Sequence, residues 1–156
     1  MNYLEPLITL GNIYTFTDKP ILLGGGAMEY YGLRKTEHDL DIMISQRDKR
    51  ELLKRGYTPN LFGGKTDKDI DSTFSDFAGT GVDLVVTLNQ YGYDFFKSSA
   101  IPYGGHTELL VISLEHLLLT KVFAGEYSGE TKHKTDIKLV LKGIEKQQYP
   151  ANIVYV

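Results

Sequence analysis

The chain has 156 residues, 42% hydrophobic and 24% charged, the balance of a single globular domain with a substantial core. It contains no cysteine, which excludes disulfides and a thiolate metal site, and no apolar run long enough to span a membrane. Its net charge of −3 argues against indiscriminate binding to nucleic acid but leaves room for a local basic groove.

The start, MNYLEPLITL, lacks the basic segment and long apolar stretch of a secretory signal, so a cytoplasmic location is expected. Asn2 to Leu10 reads as a short helix with Leu4, Leu7 and Ile8 on one side and Pro6 in its first turn. Pro20 to Leu23 reads as the first core strand, Ala27 to Tyr31 as a helix stopped by Gly32, and Leu40 to Ile44 as the second strand. Ser45 is expected to cap a helix over Gln46 to Arg55 that Gly56 ends. Tyr57 to Gly81, with Gly63-Gly64 and the acids Asp67, Asp69 and Asp71, reads as loops with a short strand. Val82 to Leu88 is a strong strand pattern; Tyr91 to Lys97 suggests a short helix and Leu109 to Ile112 another strand. Ser113 caps an apolar helix over Leu114 to Ala124, Gly125 to Lys132 forms a connection, and Lys134 to Lys142 forms a second helix with Ile137, Val140 and Leu141 at helical spacing.

The chemistry is concentrated in ILLGGGAMEYYGLRKTEHDLDIMIS, residues 21 to 45. An apolar strand runs into Gly24, Gly25 and Gly26, whose backbone N–H groups at the start of a helix are suited to phosphate oxygens. Asp39 and Asp41 flank Leu40, so on a strand both carboxylates share one face while Leu40 points into the core. Two adjacent carboxylates repel unless a cation lies between them, and a hard divalent ion shared with a phosphate fits that place. Zinc is disfavoured, since His38, His106, His116 and His133 are scattered. The order of cradle and acid pair points to phosphoryl or nucleotidyl transfer.

This stretch resembles the nucleotidyltransferase superfamily, the DNA polymerase β-like fold, in which a strand, a Gly-Gly or Gly-Ser pair and a helix precede Asp-x-Asp on the next strand. The run GGGAMEYYGLRKTEHDLDI looks like the small bacterial abortive-infection and toxin-type members, with Gly32, Arg34 and Thr36 fitting their Gly-x-Arg and Ser/Thr elements. The resemblance covers about residues 20 to 88 and continues more loosely to about 142, where Lys121 and Asp136 occupy matching positions. It implies an α/β (α+β) fold, with a mixed β-sheet flanked by helices in a core of about 20–112 and a helical pair over about 113–145. It also implies a metal site of Asp39, Asp41 and Asp83, the last in GVDLVVTL, with Asp71 and Asp76 as competitors for the third carboxylate. Mg²⁺ or Mn²⁺ is the implied cofactor. Gly24 to Gly26, Arg34 and Lys121 are the implied nucleotide-binding residues, although Arg34 with Lys35 also reads as a solvated pair and Lys121 as a surface lysine.

The expected activity is transfer of a nucleoside monophosphate from a nucleoside triphosphate to an acceptor hydroxyl of RNA such as tRNA, a protein, or a small molecule such as an aminoglycoside. The competing reading is a non-catalytic nucleotide-binding or toxin–antitoxin partner module on the same fold; a phosphohydrolase using the metal pair on water is more remote. So short a chain leaves the acceptor site to a partner protein, to a second subunit of a homo-oligomer, or to the C-terminal helices. Lys132, His133, Lys134 and Lys138 make one basic cluster there, and Tyr30, Tyr31, Tyr91 and Tyr93 are tyrosines that core packing explains as well as base stacking does.

Overall fold

A computed structural model describes residues 3–36, 40–63, 70–128 and 131–148. Helix α1 (Glu5–Gly11) carries Pro6 in its first turn and buries Leu10. Strand β1 (Ile21–Leu22) leads into α2 (Gly24–Tyr30), and β2 (Leu40–Met43) leads into α3 (Gln46–Lys54). The Asp48 N–H donates to Ser45 Oγ at 3.1 Å, so Ser45 caps α3 as its sequence position predicts. Strands β3 (Asn60–Gly63), β4 (Ile70–Phe74) and β5 (Val82–Val85) follow, then α4 (Tyr93–Lys97), β6 (Ile101–Tyr103), β7 (His106–Val111), α5 (Leu114–Ser128) and α6 (Thr131–Gln148).

The described strands form one mixed sheet in the order β3-β4-β5-β2-β1-β7-β6. The pairs β2/β5 and β1/β7 are parallel, and the others are antiparallel. Strand alternation divides the core into two layers. Leu22, Leu40, Ile42, Ile44, Val82, Leu84 and Val86 face Leu10 and Leu52 on one side. Ile21, Leu23, Met43 and Val85 face Ala27, Met28, Phe96, Leu117 and Val140 on the other, under α2, α4, α5 and α6. Asp41 and Asp83 alternate with the first set, so both fall on the second side. The fully buried Asp48 carboxylate fixes the approach to β1, accepting from Tyr14 Oη (2.7 Å), Thr17 N (2.9 Å), Asp18 N (3.1 Å) and Ser45 Oγ (3.2 Å).

Several sequence expectations are corrected. The stretch read as loops with one short strand contributes two, and Thr73 and Phe74 of β4 pair with Val85 and Leu84. Its local propensity is poor, but β5 supplies a partner for its backbone groups, and strand formation follows the partner more than the residue type. Strand β6, not anticipated, pairs with β7. Helix α2 begins at Gly24 rather than at Ala27, and β5 ends at Val85, leaving Leu88 to bridge Tyr91. Gly125 lies inside α5, which runs on to Ser128, while α6 starts at Thr131. A Cβ at Gly125 would lie 3.5 Å from His133 Cβ, and one at Gly143 would lie 3.4 Å from Leu114 Cδ2, so the two helices run antiparallel. Glycine here serves helix–helix contact instead of ending the helix.

Candidate functional site

Asp41 and Asp83 are Cα partners on the adjacent parallel strands β2 and β5. Residues in register on neighbouring strands share a face at a strand spacing of about 4.8 Å, so the two half-buried carboxylates stand side by side. Asp39 and its neighbour His38 lie outside the described residues. Asp71 pairs through its backbone with Phe62 on the β3/β4 pair, away from Asp41. Asp76 uses its carboxylate to accept from Gly81 N at 2.8 Å. Of the three competitors for the third carboxylate, Asp83 is the one in register with Asp41.

The glycine turn meets the same point. Leu23 N donates to the Asp41 carbonyl at 2.9 Å, which brings the end of β1 alongside β2. Gly24 then turns with φ +49°, and a Cβ there would stand 3.0 Å from Asp41 Oδ2. At Gly26 a Cβ would meet Leu22 Cδ1 at 2.7 Å and Leu40 Cδ2 at 3.0 Å, so its absence lets α2 settle on the sheet. The first N–H groups of a helix have no intrahelical acceptor, and those of α2 open beside the Asp41 carboxylate. Thr36 holds the following loop against this turn: its N–H donates to Glu29 Oε1 (2.7 Å) and its hydroxyl to the Gly25 carbonyl (3.2 Å).

Arg34 and Lys121 converge on one buried acid, Asp136. Arg34 Nε and Nη2 donate to its two oxygens at 2.8 and 2.9 Å, and Lys121 Nζ lies 2.9 Å from Oδ2. Arg34 Nη1 also donates to the Lys35 carbonyl, and it lies 3.6 Å from where a Gly25 Cβ would be. The triad joins the loop after α2 to α5 and α6, with Lys121 and Asp136 buried and one net positive charge beside the glycine turn. Burial pushes the Asp136 carboxyl up, but the hydrogen bonds and charges of Arg34 and Lys121 outweigh it and hold the pKa at about 2.

The tyrosines named as stacking candidates are engaged in packing. Tyr31 donates to the Ile112 carbonyl at 2.7 Å and Tyr93 to the Lys19 carbonyl at 2.6 Å; burial pushes the Tyr93 phenol up to about 12. Tyr30 packs against Tyr31 and Tyr103, and Tyr91 stacks on Phe95. On α6, Lys134 and Lys138 are exposed. Glu29 was missed from sequence and Asp76 was read only as a rival for the third carboxylate, because neither belongs to a motif and each acts through a backbone contact seven residues away. A cavity of about 440 Å³ lies between α1 and the start of β7, walled by Leu4, Leu7, Tyr14, Phe16 and Leu109. Neither the paired acids nor the glycine turn lines it.

Hard oxygen donors side by side, with the space a Cβ at Gly24 would fill left open, fit a divalent cation. Among the described residues no three His, Asp or Glu groups gather as a metal site, and the third expected ligand, Asp39, is outside them. No described helix is long and apolar enough to cross a membrane.

No family profile and no curated protein matches this sequence. The fold is similar to a solved structure of ANT(2")-Ia in complex with adenylyl-2"-tobramycin, with a TM-score of 0.53 and 13% identity, over 92% of this chain and 88% of that one. ANT(2")-Ia is an aminoglycoside nucleotidyltransferase. At that identity the likeness is one of fold: a mixed sheet flanked by helices, as in nucleotidyltransferases.

Proposed function

We propose that this chain is a metal-dependent nucleotidyltransferase that moves a nucleoside monophosphate from a nucleoside triphosphate to an acceptor hydroxyl. The observation that carries the reading is the registration of Asp41 with Asp83 beside Gly24, where α2 opens. The fold shared with ANT(2")-Ia, solved with an adenylylated small molecule, supports the same reaction class and makes ATP the first nucleotide to try.

Asp41, Asp83 and Asp39 are the residues that would hold Mg²⁺ or Mn²⁺. When bound, the ion neutralises triphosphate charge and makes the acceptor hydroxyl a better nucleophile. The first N–H groups of α2 take the phosphate oxygens, and the Arg34–Lys121–Asp136 triad adds its net positive charge beside them. The hydroxyl oxygen bonds to the α-phosphorus, the bond from that phosphorus to the bridging oxygen breaks, and pyrophosphate leaves. The hydroxyl proton passes to the Asp83 carboxylate and from there to water. Catalysis rests on positioning and charge. The acceptor classes are a small-molecule hydroxyl, RNA such as a tRNA end, or a protein hydroxyl, supplied by a partner or reached with a second copy of the chain.

The test is incubation with each α-labelled triphosphate, Mg²⁺ or Mn²⁺, and separately aminoglycosides, total RNA or lysate protein. Label transfer that Asp41→Asn abolishes is the expected outcome. Label transfer that Asp41→Asn leaves unchanged overturns the assignment.

A further inference from the structure

The turn entering β5 holds four left-handed residues within six: Asp76 (φ 41°), Ala78 (49°), Gly79 (72°) and Gly81 (79°). Two of them are not glycine, and each costs about 1–2 kcal/mol in that conformation. Such backbone persists only where its surroundings fix it. Phe77, buried against Tyr57 and Phe74, anchors the turn in the core. Thr80 Oγ1 donates to the Phe77 carbonyl at 2.7 Å and closes it.

The result of this contortion is a contact with the candidate site. Asp76 N–H donates to Asp83 Oδ1 at 2.7 Å, while the Asp76 carboxylate accepts from Gly81 N at 2.8 Å. A backbone donor on a carboxylate is a strong, directional bond. It fixes the rotation of the Asp83 carboxylate about its last side-chain bond, with Oδ1 turned to the loop and Oδ2 on the other side of the group.

We propose that Asp76 is a positioning residue for Asp83: its left-handed backbone, clamped by its own side chain on Gly81, aims an N–H that orients the Asp83 carboxylate for the divalent ion. The inference rests on the reading of Asp83 as a site carboxylate. Asn at position 76 keeps a side-chain acceptor for Gly81 N and tolerates the left-handed region. Ala keeps neither advantage. Gly keeps the backbone geometry and loses the clamp.

The experiment titrates Mn²⁺ into wild type, Asp76→Asn, Asp76→Gly, Asp76→Ala and Asp83→Asn, reading free Mn²⁺ by electron paramagnetic resonance, with circular dichroism and Tm recorded for each. Loss of a group that orients a metal ligand costs about 10- to 100-fold in affinity. The expected result is a loss of about tenfold or more in Asp76→Ala, a smaller loss in Asp76→Gly, near wild-type affinity in Asp76→Asn, and the largest loss in Asp83→Asn. Wild-type Mn²⁺ affinity in folded Asp76→Ala, with loss in Asp83→Asn, overturns the inference alone. So does a lowered Tm in Asp76→Ala whose folded fraction binds Mn²⁺ normally, since that is a merely structural role. Wild-type affinity in Asp83→Asn, or no Mn²⁺ binding by the unaltered protein, overturns the site reading and this inference with it.

Discussion

Replacing Asp136 by Asn tests how the C-terminal helices are held to the glycine turn. The side chain is 4% exposed and receives two bonds from Arg34 and one contact from Lys121, all at 2.8–2.9 Å. Asn has nearly the same volume, so packing is preserved while the charge and one of the two acceptor oxygens are lost. Two cations, 21% and 10% exposed, then face a neutral amide. The fall of the Asp136 pKa from 3.8 to about 2 corresponds to roughly 2 kcal/mol. Breaking a buried pair by removing one partner costs about 3–5 kcal/mol, so a loss of about 3 kcal/mol is expected at pH 7. For a domain of this size that lowers Tm by about 6–12 °C.

The assay is urea unfolding of both proteins from pH 8 to pH 2. Because the folded pKa is depressed, the charged acid stabilises fully above its unfolded value of 3.8, and this is lost as pH falls through about 2. The gap between wild type and variant stays constant from pH 8 to about 5 and closes from about pH 4 downwards. A gap below about 0.5 kcal/mol at pH 7, or one that does not narrow in acid, refutes the buried-triad account; losses that small are typical of solvent-exposed pairs.

Asp41→Asn is expected to abolish nucleotidyl transfer while leaving Tm unchanged or raised, because one member of a repelling acid pair is removed at constant volume; activity and thermal melts check it together. Gly24→Ala forces a side chain into φ +49° and within 3.0 Å of Asp41 Oδ2, so stability should drop by about 1–2 kcal/mol and triphosphate affinity with it, read by denaturation and calorimetry. Triphosphate binding should need a divalent ion, and equal affinity in EDTA would speak against a phosphate bridged to the acid set. Lys121→Met removes one donor from Asp136 and should weaken triphosphate binding more than it changes the fold, measured by calorimetry beside circular dichroism.

What the sequence determined by itself is local. The Ile21–Leu22 strand, the glycines just beyond its end, the alternation that turns Asp41 away from Leu40 and Ile42, the Ser45 cap and the Val-rich strand carrying Asp83 each depend on neighbours a few residues apart, where period and capping chemistry are readable. Tertiary structure decided everything that depends on distant partners. Asp41 and Asp83, 42 residues apart, became a pair through the register of β2 with β5. Arg34 and Asp136 met across 102 residues, turning two expected phosphate contacts into a buried triad. Strands β4 and β6 formed where local propensity is weak because β5 and β7 offered them unpaired backbone. Gly125 stayed helical because α6 packs close against it. Asp76, read only as a rival acid, took its role from a left-handed backbone that composition does not encode. Periodicity tells which way a side chain faces on its own element, whereas the identity of the group it faces is set by closing loops of tens of residues, and only the assembled sheet and its helices fix that.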